Sequence, residues 1–193
     1  MLIRQTSTYM VAHGTSAALG FLSVILFTRL LTPAEYGIYV VALSVAGIIS
    51  ALLFTWVRLS VLRFESEGER TDIRLTALAA YLISVLTLPA ALGVTVFALA
   101  VPFDKALAAI LLAAALGLFE LGQEILRARL DSTSYMRATV IRAFAAIGIS
   151  YALVDMGWGG FGLVAGVAGA YVIAAVAFSG AICWIRPRTS CFW

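Results

Sequence analysis

The chain has 193 residues, of which 63% are hydrophobic and only 12% charged, with a mean hydropathy of +1.04. A soluble domain carries about 45–50% apolar and about 25% charged residues, and one of this size has no interior able to hide so much apolar surface, so the composition excludes a soluble globular protein and points to one embedded in a bilayer. The net charge of +3 is no sign of a nucleic-acid partner, because the basic residues have a topological explanation.

Charge-free runs over 5–28, 36–57, 75–103, 106–119, 143–154 and 156–185 divide the sequence. They are continuously apolar rather than alternating, which favours spanning helices over a β-barrel. Six helices are expected, over about 9–31, 33–57, 75–101, 106–126, 137–154 and 161–185. The first is read as a retained helix, since its long run is interrupted by Thr6, Ser7, Thr8, His13, Thr15 and Ser16 and lacks a signal-peptide cleavage pattern. The second opens on Thr32-Pro33-Ala34-Glu35, an N-cap, a first-turn proline and a glutamate at N3. Pro89 should kink the third. The fifth follows the turn-prone Asp131-Ser132-Thr133-Ser134, and the sixth follows Gly157-Trp158-Gly159-Gly160.

With the N-terminus inside, eleven of the thirteen Lys and Arg residues fall on the cytoplasmic side, and only Arg29 and Lys105 fall outside. If the two short runs did not span, this bias would vanish. The expected fold is therefore all-α and polytopic, with six transmembrane helices and both termini cytoplasmic. The membrane region is expected to cover 1–188, with 189–193 as a short tail.

Small-residue stripes mark helix contacts: Gly162, Gly166 and Gly169 on the sixth helix, and Ala109, Ala113 and Gly117 on the fourth. The stripe Thr8, Ala12, Ser16, Gly20 and Ser23 on the first helix is the most polar. It reads either as close packing or as one wall of an aqueous cavity. Glu120 and Glu124 continue the fourth-helix stripe. If Arg127 marks the boundary, Glu120 is about 10 Å inside at 1.5 Å per residue. An intramembrane carboxylate is a functional candidate by default, so the two glutamates are either ion-coupling groups or halves of structural ion pairs. Arg142 lies at a comparable depth on the next helix and is the expected partner of Glu120.

Catalysis has little support. The one histidine, His13, has Ser16 a turn away but no third orienting group, and it reads as an interhelical hydrogen-bonding residue. No zinc-protease motif, P-loop or dinucleotide fingerprint is present. Cys183 and Cys191 have no metal spacing. The chain is expected not to be an enzyme and to need no cofactor or metal.

The stretch Arg29-Leu30-Leu31-Thr32-Pro33-Ala34-Glu35-Tyr36-Gly37 has the form Arg-x-Leu-x-Pro-x-x-Tyr-Gly between the first two helices. It resembles the polysaccharide biosynthesis, or O-antigen flippase, family of the multidrug/oligosaccharidyl-lipid/polysaccharide exporter superfamily. Arg58, Arg63 and Phe64 closing the second helix resemble it too. So do Arg127, Arg129, Tyr135 and Arg142 around the fourth loop, and the glycine-rich start of the sixth helix. The resemblance implies the N-terminal lobe of an exporter fold in the cell inner membrane. Its cargo would be a lipid-linked oligosaccharide precursor of cell-surface polysaccharide or lipopolysaccharide. By position it implies Arg29, Arg58 and Arg142 as cations for the sugar-phosphate headgroup. Family members have two six-helix lobes, so a second lobe, another copy or another chain is the implied partner, besides the bilayer. The tail does not resemble the continuation into a second lobe, and a truncated product is expected. The alternatives are a multidrug exporter lobe of the same superfamily, coupled through cavity-facing acidic residues, and a non-transporting membrane subunit or inactive fragment.

Overall fold

A computed structural model describes residues 2–66, 74–98, 100–128 and 131–184 of the chain. Arg70, Arg129, Arg186, Arg188, Cys191 and the tail 189–193 lie outside the described residues. Among the described residues every regular element is helical: α1 (Leu2–Leu30), α2 (Pro33–Leu53), α3 (Thr55–Ser66), α4 (Arg74–Val85), α5 (Leu88–Phe97), α6 (Phe103–Ala128), α7 (Ser132–Leu153) and α8 (Gly159–Trp184). A π-helical turn, Val154–Trp158, joins α7 to α8.

Five stretches are long and apolar enough to cross a membrane: His13–Leu30, Pro33–Leu53, Thr76–Phe97, Phe103–Ala128 and Ser132–Ala177. The last runs to 46 residues and comprises two helices, because the chain breaks helical geometry at Gly157 (φ 87°) and α7 and α8 then lie against each other. Glycine is required there, since an L side chain rarely adopts that φ. Large apolar side chains point outward along the bundle, among them Phe21, Leu22, Ile48, Leu52, Ile83, Val94, Phe97 and Val176, a surface that only an apolar surrounding satisfies.

The predicted start of the second helix is present. Thr32 N–H donates to Glu35 Oε2 at 2.9 Å, and Glu35 N–H donates back to Thr32 Oγ1 at 3.4 Å, the reciprocal capping box. The expected kink at Pro89 is a full break. Pro89 has no N–H and would clash with the carbonyl of Val85, so α4 ends there and α5 restarts. Thr87 Oγ1 satisfies the carbonyl of Ser84 across the gap at 2.6 Å. Several boundaries differ from expectation: α1 begins at Leu2 rather than near residue 9, the third span ends at Phe97 rather than near 101, and two further differences bear on the site. The second helix ends at Leu53, and residues 55–66, Arg58 and Arg63 included, form a helix of their own rather than a loop, because Val57 and Val61 have a core to enter. The fifth helix starts five residues early, because Asp131 accepts from Ser134 N–H at 3.1 Å and caps it.

Helix α8 is central and packs on α7, α6 and α2, while α6 also carries α2, α3 and α5. Helix α1 rests chiefly on α7 and only slightly on α2, its neighbour in sequence. The α8 stripe at Gly162 and Gly166, though not at Gly169, and the α6 stripe are packing surfaces. Gly162 and Gly166 lie against Leu153 and Ser150 of α7. Ala109, Ala113 and Gly117 are buried, with Gly117 under the ring of Phe54, which stacks on Tyr81 at 5.1 Å between centroids. A Cβ on Gly117 would sit 2.6 Å from Phe54 Cδ2, and that ring is 1% exposed and has nowhere to go. Gly117→Ala should therefore lower the stability of the detergent-extracted protein by about 1–3 kcal/mol, the usual cost of overpacking. Gly122→Ala on the same helix, where a Cβ meets nothing within 4 Å, should leave the unfolding midpoint in place.

Candidate functional site

The polar side chains of the bundle converge in a cavity of about 380 Å³ at the end formed by the α6 C-terminus and the α7 N-terminus. Its walls come from four sides: His13 and Ser16 of α1, Arg58 of α3, Phe119 to Arg127 of α6, and Tyr135, Thr139 and Arg142 of α7. Tyr171 of α8 closes it.

Glu120 pairs with Arg58 Nη1 and accepts from Ser50 Oγ at 3.0 Å. The pair is half-buried, with side-chain exposures of 25% and 31%. Arg142 is therefore not the partner of Glu120. The short α6–α7 connection suggested that these two helices would be close neighbours, but α7 packs chiefly on α8 and α1 and touches α6 sparsely. It is α3, continuing the line of α2 past Phe54, that lies along α6 and brings a cation to the depth of Glu120. Glu124 is buried and pairs within its own helix with Arg127 at 3.1 Å. Arg127 Nη2 also donates to Tyr135 Oη at 3.3 Å, and Tyr135 Oη lies 3.3 Å from His13 Nε2. The interhelical role read for His13 is thus found, tying α1 to α7. Gln123 Nε2 donates to Thr139 Oγ1 at 3.0 Å.

Arg142 has a different setting. Its Nη2 donates to Ser16 Oγ at 3.0 Å. Its guanidinium lies over the rings of Phe119 and Tyr171, 5.6 Å and 5.2 Å from their centroids, cation–π contacts that hold the charge without neutralising it. Among the described residues no carboxylate pairs with it. Arg58 Nε is buried with no hydrogen-bond partner among the described residues.

A second, smaller cavity of about 150 Å³ lies toward the opposite end of the bundle, between α1, α2, α7 and α8. Ser16, Gly20 and Ser23 line it, so this part of the α1 stripe faces a cavity, as one of its two readings required; the side chains of Thr8 and Ala12 lie outside the described residues. Tyr36 and Tyr39 form its α2 wall. Just beyond them the capped start of α2 crosses the start of α8, where a Cβ on Gly160 would overlap the Glu35 carbonyl. Two segments far apart in sequence, 29–39 and 157–160, thus meet.

Of the five residues singled out by sequence, Arg58, Arg142, Glu120 and Glu124 line the larger cavity. Arg29 lies in the last turn of α1 and lines neither cavity. Phe119, Gln123, Thr139 and Tyr171 were not foreseen. An aromatic residue in an apolar helix carries no mark that it will stack on an arginine from another helix. Among the described residues no group of three or more His, Cys, Asp or Glu is placed to hold a metal ion. No protein-family model, curated protein or solved structure matches the chain.

Proposed function

We propose that the chain is the N-terminal lobe of an inner-membrane flippase that translocates a lipid-linked oligosaccharide in cell-surface polysaccharide biosynthesis. The observation that carries this reading is Arg142, a cation in a polar cavity with no carboxylate partner among the described residues. A charge placed this way inside an apolar bundle attracts an anion and marks a substrate path. The remaining walls offer hydroxyls, an amide and an imidazole from Ser16, Thr139, Tyr135, Gln123 and His13, groups suited to a sugar phosphate rather than to an apolar drug. The arginine bias of the sequence supports cytoplasmic termini and, with them, a larger cavity on the cytoplasmic side. Alternating access needs two bodies that rock about a site between them, so a second lobe, another copy or another chain completes the transporter. A multidrug exporter coupled through cavity acids fits less well, since Glu120 and Glu124 each already hold an arginine.

The test is thermal unfolding of the purified protein in detergent, with polyprenyl pyrophosphate and with the unphosphorylated polyprenol. The pyrophosphate lipid is expected to stabilise the wild type, by about 2.7 kcal/mol at a hundredfold excess over Kd. The polyprenol should not, and Arg142→Gln should abolish the difference. Equal stabilisation by both lipids, or a response unchanged in Arg142→Gln, would overturn the assignment. Stabilisation by lipophilic cations alone would transfer it to a drug exporter, and no response to any ligand would leave a packing subunit.

A further inference from the structure

Ser16, Arg142 and Tyr171 line both cavities. Among the described residues no other does, so these three form the wall between the two spaces. The larger cavity extends from that wall toward Arg58, Arg127 and Tyr135. The smaller extends the other way, toward Phe27 and Tyr36. The two are thus stacked along the bundle, end to end, with α1 and α7 contributing to both.

We infer that the two cavities are halves of one passage through this lobe, and that the Arg142–Ser16 hydrogen bond is its closure. The bond spans the gap between α7 and α1 at 3.0 Å, and the guanidinium fills the opening from its seat on Phe119 and Tyr171. The rest of the wall does not require a barrier. Gly20, one turn beyond Ser16, has open space where a Cβ would be, and Ser23 follows on the same face. Helix α1 is held almost entirely by α7, with slight contact to α2, so a change at the α1–α7 seam acts on its main attachment. An anion arriving in the larger cavity competes with a neutral serine hydroxyl for the guanidinium, and a charge-assisted bond wins that competition. Arg142 then swings off Ser16 and the passage opens. This opening step rests on the anionic-cargo reading, whereas the closure itself does not.

The experiment is thiol labelling of Ser23→Cys, in the smaller cavity, in a Cys183→Ser, Cys191→Ser background. Membrane-impermeant methanethiosulfonates, one anionic and one cationic, are added to sealed vesicles on the face that carries Arg127. With Arg142 and Ser16 intact, labelling of Ser23→Cys from that face should be slow. A Gln123→Cys control, half-buried on the wall of the larger cavity, should label rapidly. Arg142→Ala should speed labelling at Ser23→Cys by both reagents about tenfold, the ratio that a hydrogen bond from a charged group sustains. Ser16→Ala, which cuts only the hydrogen bond, should act in the same direction by a smaller factor and keeps the test decisive should Arg142→Ala not fold. Fast labelling in the parent, or parental rates in both variants, would overturn the closure. A rise for the cationic reagent paired with a fall for the anionic one would also overturn it, since that is loss of local charge without opening. Inorganic pyrophosphate on the Arg127 face should raise labelling in the parent and have no effect on Arg142→Ala. Failure of this arm alone would sink the anionic opening step while the closure stood.

Discussion

Replacing Gly166 by valine is expected to unseat α8 from α7 and to lower the stability of the extracted protein by about 3 kcal/mol, the upper end of the overpacking range. A Cβ at this position would lie 2.5 Å from both the backbone nitrogen and the Cα of Ser150. Backbone atoms of a packed helix cannot rotate away as a side-chain tip can, so the two helices must separate. The same approach carries the hydrogen bond from Ser150 Oγ to the Leu163 carbonyl at 3.3 Å, which separation would break. Small residues that let helix backbones approach are the main means of association where no hydrophobic force acts between helices, and the α7–α8 contact is the most extensive in the bundle. Gly169→Val, one turn along, is the control, because a Cβ there meets nothing within 4 Å. It should unfold within about 0.5 kcal/mol of the wild type, as substitutions away from packed features usually do. Equal losses at Gly166 and Gly169 in denaturant titrations would show that the α7–α8 approach does not set the cost, since Gly→Val by itself favours the helix.

The second large effect belongs to the Arg58–Glu120 pair. Removing one partner of a half-buried pair leaves the other charge uncompensated. Partial exposure of both groups reduces the penalty, so Glu120→Gln and Arg58→Gln should each cost about 1–2 kcal/mol. Ser50 deepens the loss for the glutamate change, since its hydroxyl donates to the same Oε2 as Arg58. The double variant should recover part of the sum, giving a coupling energy of about 0.5–1.5 kcal/mol in a double-mutant cycle. The matching cycle on Glu120 and Arg142 should give a smaller one, because Arg142 holds Ser16 and two aromatic rings instead. Strong coupling to Arg142 and none to Arg58 would mean that α3 does not lie along α6 in the membrane.

Local chemistry was legible where a short segment decides its own structure. The Thr32–Glu35 box, an interruption at Pro89 (though read as a kink rather than a break) and the glycine-rich joint at 157–160 each depend on residues within one turn of each other. The extra helix over 55–66 was not legible, because its charged residues read as a loop until α6 supplies a surface for Val57 and Val61. The candidate site was half legible. Depth alone identified Glu120, Glu124 and Arg142 as residues that must face protein or water. Depth does not say which helix stands opposite, and short loops misled on that point, since α7 turns its main contacts to α8 and α1. The aromatic seat of Arg142 needs Phe119 from α6 and Tyr171 from α8 at 5.4 Å between ring centroids, a meeting that no spacing within either helix encodes.

The central claim, that an anionic lipid headgroup is held at Arg142, is tested most directly by photo-crosslinking in membranes. A polyprenyl pyrophosphate with a diazirine beside the phosphates would be irradiated with the protein in vesicles, and the labelled peptides identified by mass spectrometry. The account predicts label on the segments of α7 and α8 that carry Arg142 and Tyr171, lost in Arg142→Gln and competed by inorganic pyrophosphate. Label confined to outward-facing positions such as Phe21 and Leu22 of α1 or Val94 and Phe97 of α5, unchanged in Arg142→Gln, would contradict it.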